Sequence, residues 1–233
     1  KLERSFLQYA IQGKLVVQDT SDEPASELLK RISEQKEQMI KEKVIKKEKS
    51  LPPVTEEEIP FDIPETWEWV RIKDIYYNDG QIKPDQTFYY VDVSAIDNKK
   101  GEISKDIKLT SKESAPSRAR KITSYGDILY STVRPYLKNI AVVDVKKDKP
   151  LIASTAFVVM RPIEIYNEYL YYVLKSPYFD NAVKNRVQGV TYPAINDTNF
   201  NSLLVPIPPL NEQHRIVSTL KSILIYIDDL TSF

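Results

Sequence analysis

The 233-residue chain has no cysteine, five glycines, one histidine and no excess of either charge, with 33 basic and 33 acidic side chains. Without thiols it can form neither disulfides nor thiolate metal sites, and no cysteine nucleophile exists; this fits a reducing cytoplasm. No Gly-rich loop follows a strand-like segment, so the sequence carries no Walker A motif and no dinucleotide or methyl-donor fingerprint. Nucleotide-dependent chemistry would have to come from another chain. It also lacks an apolar run of the ~18 residues a membrane helix requires. The opening Lys1-Leu2-Glu3-Arg4 has neither an initiator Met nor a signal-peptide core, so the sequence is expected to be soluble and a fragment. A zero formal charge argues against binding nucleic acid through sheer basicity. Any DNA-binding surface must arise by segregating charge along the chain.

What is present reads as helices flanking an α+β domain. In residues 1–50, Leu2, Phe6, Ala10 and Ile11 recur at helical spacing and Gly13 provides a stop. Asp22 is the expected cap of a second helix, with Pro24 in its first turn and Ala25, Leu28, Leu29, Ile32, Met39, Ile40 and Val44 near a 3.6-residue period. The charged run from Lys36 to Lys49 suits a solvated helix face. Residues 51–65, with Leu51-Pro52-Pro53, Glu56-Glu57-Glu58, Pro60 and Pro64, form an acidic, proline-punctuated connector.

Residues 66–205 are expected to fold as one globular domain with mixed or antiparallel strands and short helices. Strands are expected at 67–72, 88–93, 107–109, 128–133, 140–143 and 156–160, where aromatic and β-branched residues cluster, and helices at 167–175 and 177–184. Residues 206–233 open with Pro206-Ile207-Pro208-Pro209 and continue as a helix capped by Asn211. Its Ile216, Leu220, Ile223, Ile227 and Leu230 are spaced 4, 3, 4, 3, the seam of a coiled-coil spacer or dimer helix. A plain amphipathic core helix has the same pattern at this length.

Catalytic chemistry has little to work with. His214, flanked by Gln213 and Arg215, suits packing or capping better than general-base work, and no catalytic residue is assigned. Asp85 followed by Glu102 and Lys105 superficially resembles a metal-dependent nuclease. The acid and the lysine are one residue too far apart for the usual pattern, and no metal ligand is assigned.

Charge is unevenly distributed along the chain: residues 1–65, 66–205 and 206–233 carry −3, +4 and −1. Residues 112–149 hold nine basic and four acidic side chains, including Arg118, Arg120, Lys121, Arg134 and Lys138, groups that neutralise phosphates or, for Arg, read guanine. Two segments combine donors with aromatic rings in loop-like settings. One is residues 131–138, with Ser131, Arg134 and Lys138; the other is residues 186–193, with Gln188, Gly189, Thr191 and Tyr192. Both would equally serve as ordinary polar turns whose tyrosines pack the domain edge.

Several motifs together resemble the specificity subunit of type I restriction-modification enzymes. They are Leu7-Gln-Tyr-Ala-Ile-Gln-Gly-Lys-Leu15, Glu23-Pro-Ala-Ser-Glu-Leu-Leu29, Ile45-Lys46-Lys47, Pro60-Phe-Asp-Ile-Pro-Glu-Thr-Trp-Glu-Trp-Val-Arg71 and Gly126-Asp-Ile-Leu-Tyr-Ser131 with Arg134. Gln188-Gly189, Phe200 and Ile207-Pro-Pro-Leu-Asn-Glu-Gln-His-Arg-Ile-Val217 complete the set. The resemblance implies a non-catalytic chain that reads one half-site of double-stranded DNA in the major groove, cytoplasmic in a prokaryote. Partner modification and restriction subunits would methylate adenine and cleave. Those partners, not this chain, would use S-adenosylmethionine, ATP and Mg²⁺. It implies DNA contacts at Ser131, Arg134, Lys138, Gln188, Gly189, Thr191 and Tyr192, with Arg118, Arg120 and Lys121 next. Residues 1–50 and 206–233 would then be spacer and docking helices.

The departure from the family is size. Typical members carry two recognition domains, whereas this chain has one and a clipped second helix, as expected of a half subunit or an excised half. A homodimer through the terminal helices would place two readers on a palindromic split site. The alternatives are a helical protein-interaction module that binds no DNA, or a stand-alone metal-dependent nuclease.

Overall fold

The computed structural model describes residues 2–231. In chain order, helices α1 (Leu2–Ile11) and α2 (Ala25–Lys41) precede strands β1 (Glu68–Arg71), β2 (Tyr76–Tyr77), β3 (Phe88–Val91), β4 (Ile96–Asp97), β5 (Glu102–Ile103) and β6 (Lys108–Thr110). Strands β7 (Ala119–Thr123), β8 (Ile128–Ser131), β9 (Ile140–Val142), β10 (Leu151–Ser154) and β11 (Phe157–Pro162) follow. Helices α3 (Asn167–Lys175), α4 (Pro177–Lys184) and α5 (Asp197–Asn201), strand β12 (Leu204–Ile207) and helix α6 (Leu210–Thr231) complete the chain. The fold is α+β, as the sequence implies.

The chain divides into two compact units, neither of them a single contiguous segment. The first comprises the residues up to Ile75, Ile163–Ala182 and those from Asn201 on; the second comprises Tyr76–Pro162 and Val183–Phe200. Strand β1 and helix α3, which the sequence places in the middle domain, thus pack with the terminal helices.

In the first unit, β1 and β12 form a two-stranded antiparallel sheet. Proline is tolerated at Pro206 because β12 pairs on one side only. Buried Leu7, Ala10 and Ile11 of α1, Leu28 and Ile32 of α2, Tyr169 and Leu170 of α3, and Ile216, Val217 and Leu220 of α6 supply the core. Gly13 ends α1 in the left-handed region at φ 68, and a Cβ there would lie 2.4 Å from Pro64 Cγ. Only glycine fits that approach.

A polar network braces the start of α6. The buried Glu212 carboxylate accepts Trp67 Nε1–H at 3.0 Å and Gln18 Nε2–H at 2.6 Å. Gln213, fully buried, donates to the Pro208 carbonyl and accepts the Tyr166 amide. Asp22 is not the cap of α2, whose cap position is the extended Pro24. Its carboxylate accepts Arg215 at 2.6 Å and Asn211 Nδ2–H at 3.1 Å instead. Such charge-assisted bonds outcompete a single capping bond. Asn211, committed to Asp22, lies in the first turn of α6, not at its cap.

The connector is also bound into this unit. Buried Arg71 forks onto Glu58 at 2.8 and 2.9 Å and donates to the carbonyls of Pro52, Pro53 and Ser202. Helix α2 stops at Lys41, short of Val44, so Ile45-Lys46-Lys47 lies beyond it.

In the second unit, one four-stranded sheet runs β6-β3-β10-β7, with β3 and β10 parallel, and another runs β2-β11-β8-β9, all antiparallel. Strands β4 and β5 form a separate pair. The core between the two larger sheets includes Val91, Leu129, Ala141, Leu151, Ala153, Phe157 and Val159. Ile152 joins Phe88 and Ala119 on the opposite face, the two-residue alternation of a strand. Strands β7 and β10 have little sequence signal, because Arg120 and Lys121 interrupt the first and Ala153 and Ser154 dilute the second.

Asp127, buried beside β8, organises this unit. Its carboxylate accepts Arg161 Nε–H at 2.7 Å and Nη2–H at 3.0 Å, together with the Ser124 amide at 2.8 Å and the Thr123 hydroxyl at 3.2 Å. Arg161 also pairs with Asp79 at 2.7 Å and lies over the Tyr77 ring.

Replacing Asp127 by Ala removes the main counter-charge of Arg161 and leaves two further donors unpaired. A loss of about 3 kcal/mol is expected, read as a lower urea midpoint. Arg71 holds the Glu58 carboxyl below its ordinary value. A lowered carboxyl contributes stability above its unfolded pKa and loses it as pH falls through the folded one. The midpoint gap between wild type and Glu58→Gln should therefore be open at neutral pH and close as pH drops below about 4.

Candidate nucleic-acid interface

The second unit brings together two loops that lie about fifty residues apart in sequence. The Ile195 amide donates to the Thr132 carbonyl at 3.0 Å, and the Arg134 amide donates to the Pro193 carbonyl at 2.8 Å. Gln188 and Ala194 exchange both backbone bonds, at 2.8 and 2.9 Å, closing 188–194 into a ring. Gly189 sits in this ring at φ 87, where a Cβ would meet the Tyr192 carbonyl oxygen at 2.9 Å. The facing loop contains two left-handed non-glycine residues, Arg134 at φ 47 and Lys138 at φ 52, on either side of a single 3₁₀ turn over Pro135–Leu137. Such backbone costs free energy and persists only where its surroundings impose it.

The closure brings unlike groups side by side at the surface. The Arg134 guanidinium lies over the Tyr192 ring, 5.9 Å from its centroid. Tyr192 is 72% exposed, Tyr136 64% and Val190 fully exposed. Gln188, Gly189 and Thr191 are exposed as well. A planar cation, amide and hydroxyl donors, and apolar surface therefore share one patch, the mixture that reads base edges.

The remaining residues singled out from the sequence are placed differently. Ser131 is buried at the end of β8, its hydroxyl donating to the Val133 carbonyl. It shapes the loop from inside and is not presented at the surface. Lys121 is largely buried, donating to the Phe157 carbonyl at 2.5 Å and lying 3.8 Å from Asp197. Burial of its ammonium pushes Lys121 below the ordinary lysine value, with Asp197 opposing. Arg120 is half-buried and donates from Nε to the Ser117 carbonyl, and Lys138 is half-buried. Arg118 is exposed, its carbonyl accepting the Thr155 amide. The next residue along, Ala156, accepts the Thr132 amide, so the 155–156 turn ties the Arg118 segment to the loop at 132.

Electrostatics separates more sharply by unit than by sequence segment. The second unit holds 17 basic and 11 acidic side chains, net +6, and the first holds the complementary −6. Asp127, Arg161 and Lys121 are consumed internally, which leaves exposed cations such as Arg118 and Arg134.

Sequence reasoning passed over Val190 and Leu137, exposed apolar residues whose signal is that they flank the polar donors without continuing any periodic pattern. It also passed over Asn98, whose side-chain amide donates to the Leu137 carbonyl at 2.8 Å and supports the loop. His214 stacks on Tyr166 with ring centroids 4.1 Å apart. Among the described residues no three His, Asp or Glu side chains gather where a metal could be held. No helix among the described residues is long and apolar enough to cross a membrane.

In the terminal helix, Ile216 and Leu220 are buried in their own unit, so the first part of the heptad seam is core. Ile223 and Ile227 are half-buried, and the side chain of Leu230 lies outside the described residues.

A family model, Type I restriction modification DNA specificity domain, matches residues 64–232. The type I restriction enzyme EcoAI specificity subunit of Escherichia coli is 36% identical over 234 residues, covering 96% of this chain and 39% of that protein. The EcoEI specificity subunit of the same organism is 32% identical over 239 residues, covering 99% and 40%. The crystal structure of the HsdS subunit from Thermoanaerobacter tengcongensis superimposes with a TM-score of 0.67 at 36% identity, over 74% of this chain and 46% of that one. The chain spans about two fifths of the length of the curated relatives it matches. The family match covers the whole second unit and the braced start of α6, and with it the chain belongs to the type I restriction-modification DNA specificity domains.

Proposed function

We propose that this chain selects DNA sequence for a type I restriction-modification complex, reading one half-site of a duplex while partner subunits perform adenine methylation and cleavage. The second unit, residues 76–162 and 183–200, is the reader. The carrying observation is the backbone-locked pairing of loops 132–138 and 188–195 in a unit of net charge +6. Its donors and exposed rings suit a groove, and its excess cations suit the phosphates beside it.

The first unit fits a different task. Its net negative charge makes it a poor surface for DNA and a plausible one for protein, so the terminal helices are assigned to docking the modification subunits. Pairing of two copies through α6 would rely on Ile223, Ile227 and the exposed Tyr226, which share one helix face, since Ile216 and Leu220 are already covered. The reading needs no cofactor on this chain and a location where genomic DNA is accessible, the prokaryotic cytoplasm.

Binding of the chain to duplex DNA should weaken linearly in log Kd against log salt concentration, because phosphate contacts release counterions. Arg134→Ala should weaken binding. If Arg134 contacts a phosphate, the slope falls by about one with no change in sequence preference; if it reads a base, discrimination at one base pair relaxes instead. Fluorescence anisotropy between 50 and 200 mM salt, on the order of the range where such dependence is steep, measures both. Binding that ignores salt and is untouched by Arg134→Ala would contradict the proposal.

A further inference from the structure

We infer that Tyr192 is a positioning residue that presents Arg134 to a guanine, so that one G·C pair in the half-site is read by an arginine fixed before DNA arrives. This deepens the proposed function and rests on it. An exposed arginine normally disperses over many rotamers, and ordering it on binding opposes affinity. Here the backbone at both ends of the contact is fixed. The Arg134 amide is bonded to the carbonyl of Pro193, the residue next to Tyr192, and Arg134 is itself held in the left-handed region at φ 47. Tyr192 is itself held by the Gln188–Ala194 closure and by the close approach of Gly189 to its carbonyl. The guanidinium rests over the ring at 5.9 Å, within the range of a cation–π contact.

Among the described residues the Arg134 guanidinium makes no hydrogen bond or ion pair, so its side-chain donors are open to a ligand. A guanidinium resting over a ring face, on a fixed backbone, has fewer orientations open to its planar fork. Guanine N7 and O6 are two acceptors side by side in the major groove that match such a fork. A phosphate would not require the ring, because an electrostatic contact tolerates a mobile cation. Among the described residues of this patch, Arg134 is the one cation lying over an exposed ring. The phenol hydroxyl has no part in the stacking, so phenylalanine should serve as well as tyrosine.

The test is selection from a randomised duplex library with the full chain, in wild-type, Tyr192→Phe, Tyr192→Ala and Arg134→Lys forms, with thermal melting to confirm folding. Wild type and Tyr192→Phe are expected to enrich a motif with one invariant G·C pair. Tyr192→Ala and Arg134→Lys should relax that position by about 10-fold or more while keeping the others. A duplex with 7-deazaguanine there, which lacks the N7 acceptor, should bind wild type about 10-fold more weakly and Arg134→Lys with a much smaller change. The inference is overturned if Tyr192→Ala leaves that position intact, if it relaxes every position equally, or if 7-deazaguanine has no effect. A salt-sensitive binder that enriches a motif without any guanine would defeat the inference alone. No enriched motif from any form, with no salt-dependent binding, would defeat the proposed function as well.

Discussion

The buried carboxylate of Asp127 is the interaction on which the second unit depends. It sits where β8 begins, and β8 leads directly into the loop that carries Arg134. Two bonds from Arg161 tie it to β11, the central neighbour of β8, and Arg161 in turn holds Asp79 and Tyr77 beside β2. A charge taken out of water needs a counter-charge and hydrogen-bond donors, and here an arginine fork, a hydroxyl and a backbone amide supply them. The Gly126-Asp127-Ile-Leu-Tyr-Ser131 motif therefore fixes the strand that leads into the loop carrying Arg134.

The first unit uses the same device at a second buried carboxylate. Burial raises the pKa of Glu212, and the hydrogen bonds from Trp67 and Gln18 pull it back. Those bonds join two of the family-like motifs, the Trp67 segment and the start of α6, and bring in Gln18 from the loop after α1. Gly13 closing on Pro64 joins the Leu7–Leu15 motif to the Trp67 segment. The motifs that make the sequence recognisable are thus mutual braces. The spacing of these three is constrained because each supplies half of a contact made by another.

This explains what the sequence made legible and what it did not. The α+β class, helices α3 and α4, and six strands follow from periodicity and β-propensity, because aromatic and β-branched residues mark them. Strands β7 and β10 escaped because neither is rich in such residues. The two candidate loops were visible one at a time, from their glycine, donors and rings. Their pairing was not, because it is made by backbone groups that have no side-chain signature: Thr132 with Ile195 and Arg134 with Pro193. Composition also could not separate Arg134 from Lys121 or Ser131, since only the fold decides that a strand turns Lys121 toward Phe157 and buries Ser131. The formal charge of zero similarly conceals a +6 unit built from two separated stretches of chain.

The central claim is that this chain chooses sequence for a methylating partner. Co-expressing it with a modification subunit and mapping methylated adenines across a genome tests that claim most directly. The account predicts that every methylated site shares one recurring half-site, and that Arg134→Ala alters the motif at a single base pair. A complex that forms and methylates without sequence preference would contradict it.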